Sequence, residues 1–571
     1  MNKEYKNLVL GCQNCKKDFI IEPDDFSFYE KMKVPPPTFC PECRMQRRLM
    51  FRNERVMYKR DCDLCKKSFI SNIALDKPYI VYCPACWYSD KWDALDYGIE
   101  YNPIKNFFEQ FKELTIKTPQ LGKIIDYATV INCDYCNHIG SCKNCTLVFN
   151  ADYNENVLYS TLITHSRDSM DCYGCDKVEL SYEITDGENN SRCYFGKSLV
   201  SCIDTIFSRD CTGCTSCFAC CNLRNKKYCA FNKQYTKEDY EKFVASYKLD
   251  TYLGVQKAVK ESEEFFLTLP RRYLYGQKNL NVTGDYVYHS KNAKNCWSGQ
   301  YFEDCAYCQF TTLASTTGTY DLSEWGNNVE NCVDVITVGE NASGIKYCFS
   351  VWANVRDVEY SLICNSAVRD CFGCNSIRNK QFCILNKQYD KETYFKLREQ
   401  IIENMNKNPY IDKTGRVFQY GEFLPYDISF YDYNEAFAIQ HFPLTKEEAL
   451  NNGFRWRDVP KSEYETTLVS QDLPDSINDV DDSILKEIIQ CAECKRAYKI
   501  LREELNLLKR FCLPLPRICH DCRHLKRLRK IGRPKLYERT CDKCGDKIKT
   551  SYAPNRPEIV YCEKCYQSEV Y

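Results

Sequence analysis

Cys12-Gln13-Asn14-Cys15, answered by Cys40-Pro41-Glu42-Cys43-Arg44, is the stretch that decides how the chain begins to fold. A C-x2-C pair makes a tight knuckle whose two sulfurs reach one ion, and a second knuckle completes a tetrahedron. Cys62, Cys65, Cys83 and Cys86 repeat the arrangement directly afterwards. It returns at the other end as Cys491, Cys494, Cys519, Cys522, Cys541, Cys544, Cys562 and Cys565, each 479 residues after its counterpart. Pro35, Arg44, Arg48, Tyr58 and Arg60 also recur at that offset, as Pro514, Arg523, Arg527, Tyr537 and Arg539. This is an internal duplication of a two-site module, and it predicts four structural zinc ions. Sequential knuckles are taken to pair; crossed pairing stays open. Four thiolates leave no open coordination position, so the sites hold structure and do not hydrolyse. His520 and His524 flank the third site and are read as exposed bystanders.

The chain has 571 residues, no net charge, 40 cysteines, 43 tyrosines and 6 histidines. A globally basic nucleic-acid binder is excluded, though local basic patches are not. The charged start lacks the apolar region of an export signal, and no run is long enough to cross a bilayer. The expected setting is a reducing cytoplasm, with thiols kept for metal and packing.

A second duplication lies in the middle. Asn222–Phe243 matches Ser376–Leu397 at an offset of 154, and about a hundred Cys-, Asn- and Tyr-rich residues precede each copy. Cys133, Cys172 and Cys211 step by 39, and a spacing of 9 recurs. A nine-residue unit suits a strand plus turn, and about 20 residues suit one coil of a solenoid. Thr236 and Asp390 are natural helix N-caps, and Tyr240, Phe243, Val244 and Tyr247 form an apolar face fit to close a coil stack.

The expected fold is mainly β and multidomain: four-cysteine zinc-ribbon or treble-clef pairs at both termini flank two Cys-rich β-solenoids with helical caps. The boundaries are 1–100 tandem ribbons, 101–125 linker helix, 126–250 first solenoid with cap, and 251–279 helical connector. Then come 280–408 second solenoid with cap, 409–486 irregular acidic linker read as a solvated tether, and 487–571 tandem ribbons.

Basic segments follow the knuckles. Arg44, Arg47, Arg48, Arg52, Arg55 and Arg60, and at the far end Arg523, Lys526, Arg527, Arg529, Lys530 and Arg533, suggest helices lying against phosphates. Phe51, Tyr58, Trp87 and Tyr537 are candidates to stack on bases. Nucleic acid, RNA or a single strand, therefore ranks ahead of a protein partner, because the basic segment occurs twice. Cys211, Cys214, Cys217 and Cys221 have the spacing of an iron–sulfur run but lack its proline, which leaves a redox protein as third reading. Gly196-Lys197-Ser198 lacks the first glycine of a phosphate loop, and no hydrolase motif is present, so no enzyme activity or small-molecule substrate is expected.

The run Cys12–Cys15, Phe19, Phe28-Tyr29, Pro35–Pro37, Cys40–Cys43-Arg44 resembles a small family of bacterial zinc ribbons. The C-terminal copy departs from it at Tyr498 and Leu507-Leu508. Over nearly its full length the chain resembles long, uncharacterised Cys-rich proteins of candidate-phylum bacteria. The likeness implies zinc binding and a bacterial source, and no activity.

Overall fold

The structure, a computed structural model, describes residues 6–311, 315–458 and 464–570. It is a mixed α/β multidomain chain that divides into two compact units, each assembled from two separate segments. One unit comprises residues 1–124 and 275–457; the other comprises 125–274 and 458–571. Each unit therefore joins one terminal zinc module to one Cys-rich middle segment, and the N-terminal module belongs with the second of these segments.

In the 125–274 segment, parallel strands pair at a constant offset of twelve residues: Phe149 with Thr161, Thr161 with Tyr173, Tyr173 with Thr185, Thr215 with Lys227. A shorter period lies within each rung. Every third residue from Cys133 to Cys220 is buried. The residue before each buried one, from His138 to Ala219, has a left-handed backbone. Three residues thus make one side and four sides make one twelve-residue turn. The corners favour Asn and Asp, such as Asn144, Asn156, Asp168 and Asp204, since those side chains tolerate left-handed φ best. The expected coil of about 20 residues is corrected to twelve.

The inward residues are small because the turn is narrow, and many are Cys or Ser for a further reason. Ser160, Ser169 and Ser181 accept the backbone N–H of Cys172, Ser181 and Cys193, each twelve residues on, and the Cys133 sulfur accepts that of Cys145. Amides at corners that no strand can pair are satisfied from inside, as buried amides must be. The 275–457 segment repeats this plan with offsets between 11 and 14, as Leu280–Lys291, Phe302–Thr316, Arg356–Arg369 and Cys371–Cys383 show.

Both ladders end alike. Asn232 pairs with both backbone groups of Cys221, and Asn386, 154 residues on, does so with Asn375. A short antiparallel return follows, and then the helices Lys237–Ala245 and Lys391–Lys407, whose N-cap Thr236 and Asp390 side chains accept backbone N–H bonds. Tyr240, Tyr247 and Tyr394 are buried against the ladder ends.

The stretch 409–486 is not a tether. Phe418, Phe423, Leu424, Tyr433 and Phe437 are buried in one unit, and Leu473, Ile477, Val480 and Ile484 in the other. Its acids misled the reading because aromatic residues at irregular spacing carry no periodic signal. Among the described residues no helix is long and apolar enough to cross a membrane.

Candidate metal centres and the buried arginine docks

Each cluster begins with a hairpin that carries the first knuckle at its turn. The turn residue after the second cysteine is left-handed in all four: Lys16, Lys66, Lys495 and Gly545. The chain then returns so that Cys40, Cys83 and Cys519 sit at helix N-caps. The ligands gather as Cys12–Cys15–Cys40–Cys43, Cys62–Cys65–Cys83–Cys86, Cys491–Cys494–Cys519–Cys522 and Cys541–Cys544–Cys562–Cys565, with sulfurs within 4.8 Å of one another. Knuckles pair sequentially.

Representative S···S separations are 3.8, 3.9, 3.6 and 3.8 Å. A tetrahedron with Zn–S near 2.3 Å has edges of about 3.8 Å, so the thiol set fits zinc. The first sulfur of each site accepts a backbone N–H at 3.2–3.3 Å, from Cys40, Cys83, Cys519 or Cys562. Burial raises the Cys491 and Cys541 thiols, but backbone amides outweigh it and bring them down to about 7 and about 6. The four clusters are suited to hold four structural zinc ions. His520 and His524 are not ligands, and neither is a free bystander: His520 stacks on Tyr159 at 5.4 Å, and His524 is buried beside Tyr173.

The basic segments do something other than expected. Arg44, Arg47, Arg48 and Arg52 are buried, and they face carboxylates of their own unit. Arg44 meets Asp321 at 3.0 Å; Arg47 meets Asp334 at 2.7 Å and Glu422 at 2.8 Å; Arg48 meets Asp321 at 3.0 Å and Asp334 at 3.1 Å. Arg52 lies between Glu54 and Glu324. Arg60 is buried beside Asp63 and the carbonyls of Ile73 and Ala74, and Arg55 is half-buried.

The other unit repeats the device. Arg523 binds Asp171 at 2.8 Å and Glu504 at 3.0 Å; Arg527 binds Asp171 at 2.7 Å and Glu183 at 3.0 Å. Asp171, Glu183, Asp321 and Asp334 are all left-handed corner residues, and each pair lies on adjacent turns of its ladder. Tyr159 and Tyr307 lie at corners one turn earlier, with the guanidinium of Arg523 or Arg44 about 5 Å from the ring centre. One i, i+4 arginine pair thus grips two successive corners in both units. Burial works against the charge on Arg44 and Arg523, but Asp321 and Asp171 outweigh it and hold both well above the ordinary value.

These arginines are therefore not available to phosphates, and recurrence of the basic segment marks docking. Three of the stacking candidates are corrected with them: Phe51 and Trp87 are buried, and Tyr58 donates to Glu435, while Tyr537 is half-buried. An exposed basic stripe along the helix survives in one copy only. Lys526, Arg529, Lys530 and Arg533 are exposed and spaced i, i+3, i+4, i+7, on or just past the helix His520–Ile531. At the same offset the N-terminal copy has Arg47, Met50, Phe51 and Glu54.

The iron–sulfur run does not converge either. Cys211, Cys214 and Cys217 point inward from successive sides of the ladder, whereas Cys221 is out of phase and its sulfur accepts from Arg271. Among the described residues, the only groups of three or more candidate ligands are the four terminal clusters. No family model matches the chain. No curated protein matches it either.

Proposed function

We propose that the chain is a non-enzymatic, zinc-stabilised scaffold for protein assembly, in which two β-solenoids with helical caps are each clamped by a tandem pair of four-cysteine ribbons of treble-clef type. The observation that carries this reading is the use of the duplicated arginines: they grip the ladder corners internally, which leaves the ladder faces as the extended surface on offer. Stacked turns give regular, rigid faces of the kind repeat proteins use to hold partners. None of the 40 cysteines is in a disulfide, which suits a reducing cytoplasm. Purification of the tagged chain from its own cell tests the reading. A stoichiometric protein partner that survives nuclease and high salt is expected; nucleic acid alone would overturn it.

A second reading keeps nucleic acid, now confined to the stripe Lys526, Arg529, Lys530 and Arg533. It would show as RNA binding whose salt slope falls by about 2 when Arg529, Lys530 and Arg533 become Ala.

A further inference from the structure

The first and third ribbons are in register over their whole length, but their hairpins differ at the outer edge. In the third ribbon the hairpin is a three-stranded sheet, because Leu468–Val469 runs parallel to Ile489–Gln490 along its outer edge. Thr467 N–H donates to the Ile488 carbonyl at 2.8 Å, and Ile488 N–H donates to the Thr467 hydroxyl at 2.8 Å. In the first ribbon Leu8–Gly11 pairs with Asp18–Ile21 alone, and among the described residues no strand lies along its other edge.

Val9, Leu10 and Gly11 are the counterparts of Ile488, Ile489 and Gln490. The bonded rung at Cys12–Lys17 places the next bonded rung at Leu10–Phe19. Val9 and Gly11 therefore turn their N–H and C=O groups outward, as Ile488 does. The apolar side chains at this edge are open: Val9 is 58 % exposed, Ile20 51 % and Leu8 41 %. In the occupied copy, Glu487 and Lys499 stand where Leu8 and Ile20 stand here.

We infer that the outer edge of Leu8–Gly11 is a binding site for an extended aliphatic strand of a partner protein, which adds in parallel as Thr467–Val469 does on the duplicate. This rests on the protein-assembly reading and names its site. An edge of unpaired backbone groups with apolar side chains is the usual receptor for strand addition. The occupant is defined by the duplicate: a β-branched and aliphatic tripeptide. Its first residue keeps a hydroxyl, because the Thr467 hydroxyl is what accepts the N–H of Ile488, the counterpart of Val9.

The test uses the full-length, zinc-loaded protein and two fluorescein-labelled peptides, residues 464–472 and the same peptide with Thr467→Val, with a scrambled control. Saturable binding is expected, weaker for Thr467→Val, which removes the acceptor for the Val9 N–H. Val9→Pro should weaken it at least tenfold, because it removes an outward N–H without breaking a hairpin bond. Four zinc per chain should remain in that variant. Binding no better than the scrambled peptide, or equal binding by Val9→Pro, would overturn the inference. So would a dimer of the chain that Val9→Pro dissolves, since a second copy would then hold the edge. A protein partner that still co-purifies with Val9→Pro would sink this site while leaving the scaffold reading intact.

Discussion

Arg48→Ala should cost far more than loss of a surface charge. Arg48 is buried and donates to Ser323 at 3.1 Å, Asp321 at 3.0 Å, Asp334 at 3.1 Å and Gln309 at 3.1 Å. Arg44 and Arg47 still hold Asp321 and Asp334 after the change, so the carboxylates are weakened and not orphaned. Four buried, charge-assisted bonds and the cavity together give a loss of about 3–5 kcal/mol. The chain carries its own reporter, because all six tryptophans, at positions 87, 92, 297, 325, 352 and 456, belong to one unit. Tryptophan fluorescence during urea unfolding at fixed zinc therefore follows the unit that holds Arg48. With a slope of roughly 3 kcal/mol/M or more for a unit of this size, its midpoint falls by about 1 M. Arg527→Ala should leave that transition in place and lower the other unit's, and Arg529→Ala should move neither. A shift for Arg48→Ala below about 0.2 M, the scale of an exposed ion pair, would refute the docking argument.

Two further outcomes follow. Of the thiols that bind no metal in this account, Cys512 alone is exposed, so native zinc-loaded protein should titrate about one fast thiol and the unfolded, chelated chain all 40; many fast thiols would contradict the filled ladder interior. Ser169→Ala should destabilise the unit holding residues 125–274 by about 1–3 kcal/mol, because it strips the acceptor from the Ser181 amide, whereas Ser169→Cys should lose much less; equal losses by urea unfolding would mean that inward Ser and Cys serve only as small fillers.

The metal centres were legible because their ligands are local, repeated and chemically unambiguous. The ladders were legible as repeats but not in their period. Every cysteine from Cys133 to Cys229 except Cys221 keeps one phase of three, and the steps of 9 and 39 are multiples of three. Cysteine samples the inward column irregularly, since Ser, Val and Ile fill the same narrow space, so the twelve-residue turn shows only when all small residues are read together. The fate of the basic helices was hidden for a different reason. Arg44 and Arg48 meet carboxylates more than 270 residues away, at corners whose left-handed backbone no local pattern announces. A clue was nonetheless present: Arg44 and Arg48 recur as Arg523 and Arg527, while Arg529, Lys530 and Arg533 are replaced by Met50, Phe51 and Glu54 at the same offset in the other copy. The arginines kept in both copies at these two positions are the ones that grip the ladder corners. The buried aromatic residues of 409–457 left no such clue, because an irregular strap gains its burial from the surfaces it crosses.

Metal content per chain bears most directly on the central claim that four closed thiolate sites hold the ribbons together. Elemental analysis of the purified protein should give four zinc and no iron, falling to three when Cys40 and Cys43 are replaced by Ser; iron in the sample, or a zinc count unchanged by that replacement, would contradict it.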